Sequence, residues 1–72
     1  QQEETQSRLL TLTPRERQVF DALIEGRSNK EIAQALDISP RTVEIFRAKV
    51  MTKMQAGSLS LLVRMGLRAQ GR

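Results

Sequence analysis

Apolar side chains recur along this sequence at helical spacing in four blocks, and each block follows a residue type that caps a helix. The sharpest block spans residues 29–48. Ile32 and Leu36 stand one turn apart, as do Val43 and Phe46, so each pair shares one helix face. Ile38 lies between the pairs and plugs the corner, and Ala33 is small where the two helices cross closely. Ser39 and Pro40 supply an N-cap and a first helical residue for the second helix. Apolar spacing by itself fits a plain helical hairpin as well as a helix-turn-helix. The agreement of spacing, small residue, corner and cap selects the latter, a unit that commonly presents its second helix to the major groove of DNA.

The flanking blocks follow the same grammar. Residues 1–10 are polar with a short apolar end, Leu9-Leu10, and predict a linker or a frayed helix. Thr13-Pro14-Arg15-Glu16 is a capping box with proline at the first helical position. The helix it opens puts Val19, Phe20, Leu23 and Ile24 on one face and ends at Gly26. Ser28-Asn29-Lys30-Glu31 is a second capping box, opening the first helix of the motif. Asp37 turns the corner, the helix after Ser39 runs to about Met54, and Ala56-Gly57-Ser58 breaks it. Ser58 caps a final helix to about residue 69. With no strand-like alternation and no repeat, the pattern predicts an all-α, four-helix helix-turn-helix domain over residues 11–72, preceded by a short N-terminal linker or helix over 1–10.

Size and charge narrow the function classes. Seventy-two residues make one domain near the lower limit for a single apolar core. Without cysteine or histidine there are no disulfides and no expected metal site. No apolar run approaches the roughly 18 residues of a membrane span, no secretory signal is visible, and a cytoplasmic origin fits best. The first residue is not Met, which suggests a domain of something longer. Residues 1–26 carry Arg8, Arg15 and Arg17 against Glu3, Glu4, Glu16, Asp21 and Glu25, a net −2. Residues 27–72 carry nine Lys or Arg against Glu31, Asp37 and Glu44, a net +6. The change of sign begins where the helix-turn-helix begins, as a polyanion partner requires, although solvated helix faces also carry charge. An enzyme is disfavoured: there is no glycine-rich phosphate loop, the carboxylates are scattered, and no catalytic residue or cofactor is expected.

Three stretches carry a family resemblance. They are Leu12-Thr13-Pro14-Arg15-Glu16-Arg17-Gln18-Val19, Gly26 through Ser28-Asn29-Lys30-Glu31-Ile32-Ala33, and Ile38-Ser39-Pro40-Arg41-Thr42-Val43-Glu44. Together they resemble the DNA-binding domains of the LuxR/FixJ family of bacterial transcription factors. Val50-Met51, Lys53-Met54 and Ser58-Leu59 through Leu62-Val63-Arg64-Met65 are similar to the FixJ branch in particular. Phe46 stands where that family often has histidine, and Asp37 where many such corners use glycine. The resemblance implies a missing N-terminal receiver domain controlled by aspartate phosphorylation, with residues 1–10 as the linker from it. It also implies a last helix that dimerises when the regulator is activated. RNA polymerase is a further candidate partner.

If Val43, Phe46, Val50 and Met54 face the core, the helical period puts Arg41, Glu44, Ile45, Ala48, Lys49 and Thr52 on the opposite face. The resemblance implies base contacts at Glu44, Ile45 and Ala48. Glu44 can accept from a cytosine amino group, and Ile45 and Ala48 can pack on thymine methyls. Glu44 is otherwise bound to Arg41 or Arg47, and Arg47 is either held by Glu44 or aimed at a guanine base. Lys30, Arg41, Thr42, Lys49 and Lys53 suit phosphates, with Asn29 and Ser39 beside the exposed N–H groups of the two helix N-termini. The last helix has more apolar residues than one face needs. Leu59, Leu62, Val63 and Gly66 form a stripe for the core, Gly66 permitting close helix approach, while Leu61 and Met65 lie off it. Leu61, Leu62, Met65 and Gly66 are therefore the expected dimerisation residues, the alternative being that both stripes are core in so small a domain. Two other readings compete: a promoter-binding unit like region four of sigma factors, and a protein-interaction module that has lost DNA binding.

Overall fold

The computed structural model describes residues 2–69, and their side chains from residue 4. Five helices follow in chain order: α1 (Gln2–Leu9), α2 (Pro14–Ile24), α3 (Asn29–Leu36), α4 (Pro40–Met54) and α5 (Leu59–Ala69). All regular structure among the described residues is helical, as the pattern predicts.

The helix starts are set by the capping chemistry read from the sequence. The Thr13 hydroxyl accepts from the Glu16 N–H at 3.2 Å, and the Glu16 carboxylate accepts from the Thr13 N–H at 2.9 Å. Ser28 and Glu31 repeat the reciprocal pair at 3.1 and 2.8 Å. Ser39 caps α4 through the Thr42 N–H, and Ser58 caps α5 through the Leu61 N–H. Each such cap contributes about 1 kcal/mol by satisfying an otherwise orphaned N–H.

Three helices also end alike. Gly26, Asp37 and Gln55 take positive φ (86°, 56° and 55°), and the next N–H reaches back to the carbonyls of Ala22, Ala33 and Met51. Asp37 thus occupies the left-handed corner expected of it. The break after α4 is made one residue earlier than the sequence suggests, by Gln55 and not by Gly57.

α2 and α4 form the middle of the domain. Val19, Phe20 and Leu23 of α2 meet Val43, Val50 and Met54 of α4, closed by Ile32 and Ala33 from α3 and by Leu62 and Met65 from α5. Residues 2–9 form a helix that lies against α4 and α5, with Thr5 and Leu9 buried. Leu10, directly after it, is 87% exposed.

The last helix turns two residues of the expected stripe inward, Leu62 and Gly66, and adds Met65, while Leu59 stays exposed. Leu62, Met65, Gly66 and Ala69 follow the i, i+3, i+4, i+7 rule, and the first three are buried. Met65 lies one turn beyond Leu62 and so shares its side, instead of pointing away with Leu61. Gly66 is the point of closest approach to α2: a Cβ there would fall 2.7 Å from Ile24 Cγ2 and 3.3 Å from Phe20 Cζ. The close helix crossing expected of Gly66 exists, and it is made within the domain.

Candidate nucleic-acid interface

α4 begins at Pro40, which can follow an N-cap because it has no N–H to lose. Its buried side carries Val43, Val50 and Met54, each with no exposed surface, and Phe46 half-buried beside them. The opposite side is open. Arg41, Glu44, Ile45, Ala48, Lys49 and Thr52 are all exposed, and Ile45 keeps 48% of its surface in solvent. α3 packs against α4, and Ser28 and Lys30 at the start of α3 and Ser39 and Arg41 at the start of α4 are exposed.

The polar residues of the face differ in how firmly they are held. Glu44 lies 3.6 Å from the Arg41 guanidinium, both side chains largely in solvent. A surface pair of this kind contributes at most about 1 kcal/mol, so Glu44 is free to exchange Arg41 for another partner. Lys49 is exposed, its ammonium 6.0 Å from the centre of the Phe46 ring. Ser39 and Thr42 bond each other through their hydroxyls at 2.9 Å, and Lys30 stands exposed on the first turn of α3.

Two expected contacts are drawn away from the face. Arg47 follows Val43 by four positions, which places it about 40° from the buried side's centre. It donates to the Asn29 Oδ1 at 3.3 Å, linking α4 to the start of α3, and both residues are half-buried. It is neither held by Glu44 nor turned outward with Ile45. Lys53 lies on the flank nearest the start of α2. Its ammonium is 2.7 Å from the Glu16 carboxylate and 3.2 Å from the Thr11 carbonyl. Lys53 is therefore paired with the buried Glu16 while its own side chain stays about one-third exposed (35%). Glu16 is held below the usual carboxylate range, first by the Lys53 hydrogen bond and then by the Thr13 N–H. Sequence reasoning saw Glu16 as half of a capping box and Lys53 as a surface cation. Their pairing, 37 residues apart, had no local signal. Glu31 is lowered too, by the Ser28 N–H and hydroxyl.

Of the four residues expected at a self-association surface, Leu62, Met65 and Gly66 are inside the domain, and Leu61 remains outside at 39% exposure. Leu59 and Leu67, which were not assigned there, are exposed to a similar degree.

Comparison with known proteins places this geometry. The family model for bacterial regulatory proteins of the luxR family (GerE) matches residues 10–66. The chain is 64% identical over 63 residues to the transcriptional regulatory protein FixJ of Bradyrhizobium diazoefficiens, covering 88% of this chain and 31% of that protein. It is 55% identical over 53 residues to the tetrathionate response regulatory protein TtrR of Salmonella typhimurium, covering 74% and 26%. The crystal structure of full-length FixJ from B. japonicum superposes with a TM-score of 0.85 at 55% identity, over 99% of this chain and 36% of that one. The chain spans between a quarter and a third of the length of these curated relatives.

Proposed function

The chain belongs to the luxR family of bacterial regulatory proteins, and we propose that it binds duplex DNA sequence-specifically as the output unit of a two-component transcriptional regulator. α4 enters the major groove. One observation carries the reading: α4 is divided into a sealed side and an open side, and the open side mixes an acid, apolar residues and cations. Glu44 accepts from a cytosine amino group, while Ile45 and Ala48 meet thymine methyls. Lys30, Arg41 and Lys49 neutralise phosphates, with Asn29, Ser39 and Thr42 contributing at the N-termini of α3 and α4. Arg47 and Lys53 leave that set for the internal partners described above.

The remainder of the regulator is a receiver domain whose phosphorylation promotes pairing of two output units through the outer side of α5, where Leu61 is exposed. Pairing of this kind matches two half-sites on the duplex. The assembled regulator works in the bacterial cytoplasm and acts on RNA polymerase at the promoter. No helix among the described residues is long and apolar enough to cross a membrane.

Selection of bound duplexes from a random pool by the 72-residue chain tests the reading. A recurrent half-site is expected, with affinity falling in salt by a logarithmic slope of about −0.9 per phosphate engaged. Recovery of unenriched sequence, or binding insensitive to salt, overturns it.

A further inference from the structure

The stretch matched by the family model starts at residue 10, after α1 has ended. Yet α1 is bonded to the ends of α4 and α5, and the segment just after it is bonded to α4 as well. The Arg8 guanidinium donates to the carbonyl of Met54, the last residue of α4, at 3.4 Å. Lys53, one residue earlier, donates to the Thr11 carbonyl just beyond α1 at 3.2 Å. Gln6 donates to the carbonyl of Ala69, the last residue of α5, at 3.2 Å. Beneath these bonds Thr5 and Leu9 are buried at 5% and 6% exposure.

The terminal carbonyls of a helix have no partner within it and are the first to fray. Met54 and Ala69 are such carbonyls, and α1 supplies a side-chain donor to each. Arg8 is itself aligned by Glu4, one turn earlier, at 3.1 Å. The clasp thus holds the end of α4 opposite its Pro40 start, while the Arg47–Asn29 bond holds its middle. Held at its middle and its far end, α4 presents Glu44, Ile45 and Ala48 at a defined angle.

We propose that α1 belongs to the DNA-reading unit, and that Arg8 is a positioning residue for α4 acting through the Met54 carbonyl. Any chain joined ahead of α1 then bears directly on the recognition helix, through a strut and not through a slack linker. The functional half of this proposal rests on the DNA-binding reading above.

The test compares Arg8→Ala and Arg8→Lys with Arg17→Ala. The last removes the same charge from an exposed position on α2, where Arg17 pairs with Asp21 and, among the described residues, makes no bond to α1 or α4. Two measurements are made on folded protein: amide exchange by residue, and affinity for the selected duplex and a scrambled one across a salt series. Arg8→Ala should speed exchange in residues 51–56 and leave α2 and α3 unchanged. It should weaken the selected duplex about two- to tenfold more than the scrambled one, without altering the salt slope. Arg8→Lys, which keeps a donor for the carbonyl, should recover part of both effects, and Arg17→Ala should show neither.

Equal losses for Arg8→Ala and Arg17→Ala would reduce the effect to net charge and overturn the proposal. So would a salt slope shallower by about one unit, the mark of a direct phosphate contact, or unchanged exchange at residues 51–56. If the unsubstituted chain binds no duplex, the DNA-binding reading falls, and the exchange data still decide whether α1 fixes the end of α4.

Discussion

Glu16 accepts from the Thr13 N–H and from Lys53 with the same carboxylate oxygen, so one side chain starts α2 and anchors α4. Its pKa in the fold lies below the ordinary value of 4.5. A carboxylate shifted downward stabilises the native state fully above that ordinary value, and the contribution is lost as pH falls through the lowered pKa. Glu16→Gln should therefore cost about 1–2 kcal/mol at neutral pH. In urea titrations across pH, the gap between the two proteins should stay constant down to about pH 5 and close at lower pH. Glu31 is lowered as well, but it is present in both proteins and cancels. A second residue-scale prediction separates reading from holding. Lys49→Ala should weaken all duplexes alike and flatten the salt slope by about one unit. Glu44→Ala should change which sequence is preferred, by about 1–3 kcal/mol at one base pair. Titrating each variant against a panel of single-base variants of the selected site checks both, and a uniform loss for Glu44→Ala would remove it from the readers.

At the scale of elements, α4 and α5 show why one helix was legible and the other was not. α4 has a readable phase, because Val43, Val50 and Met54 fall on one line along the helix, although Ile45 and Ala48 stand among the polar residues opposite. In α5, Ser60, Arg64 and Arg68 mark one polar side, but Leu59, Leu61, Leu62, Val63, Met65 and Leu67 spread over all the rest, so the pattern leaves open which part of that broad apolar side faces inward. Contact with α2 decides, because only Gly66 can pass Ile24 at the observed separation. Gly66→Ala should thus destabilise the domain by about 1 kcal/mol: overpacking costs about 1–3 kcal/mol, and alanine's helix propensity returns up to about 1. Thermal unfolding measures the net effect. Unchanged or raised stability would mean that α5 can withdraw from α2 without loss. α1 is the opposite case, a polar helix with few apolar residues whose order comes from the docking of Thr5 and Leu9 and from bonds to the ends of other helices.

For the molecule as a whole, the interior claims most of what looked available for self-association. Leu62, Met65 and Gly66 complete the core of the protomer, and the leucines left outside on α5 are each only about two-fifths exposed. Leu59, half-buried Val63 and Leu67 make one narrow row at i, i+4, i+8, and Leu61 stands apart from it, about 120° round the helix from Leu67. A stable dimer ordinarily buries about 800 Å² on each partner, with an apolar centre. The 72-residue chain should therefore sediment as a monomer at micromolar concentration and pair only on DNA or with the rest of the regulator attached. A tight dimer of the isolated chain in dilute solution would contradict this.

The local chemistry of the chain determined a great deal unaided. Ser, Thr, Pro and Glu at fixed offsets specify where α2, α3 and α4 begin, because capping is a bond between residues three apart. Asp37 specifies the corner, since a short polar side chain tolerates the left-handed backbone there. The buried and open sides of α4 follow from the 3.6-residue period. Tertiary structure alone decided what depends on partners distant in sequence: Lys53 on Glu16, Arg47 on Asn29, Gly66 against Ile24, and α1 on the ends of α4 and α5. A cation is the same letter whether it faces phosphate or a buried carboxylate, and only the packing of helices brings one of those anions within reach.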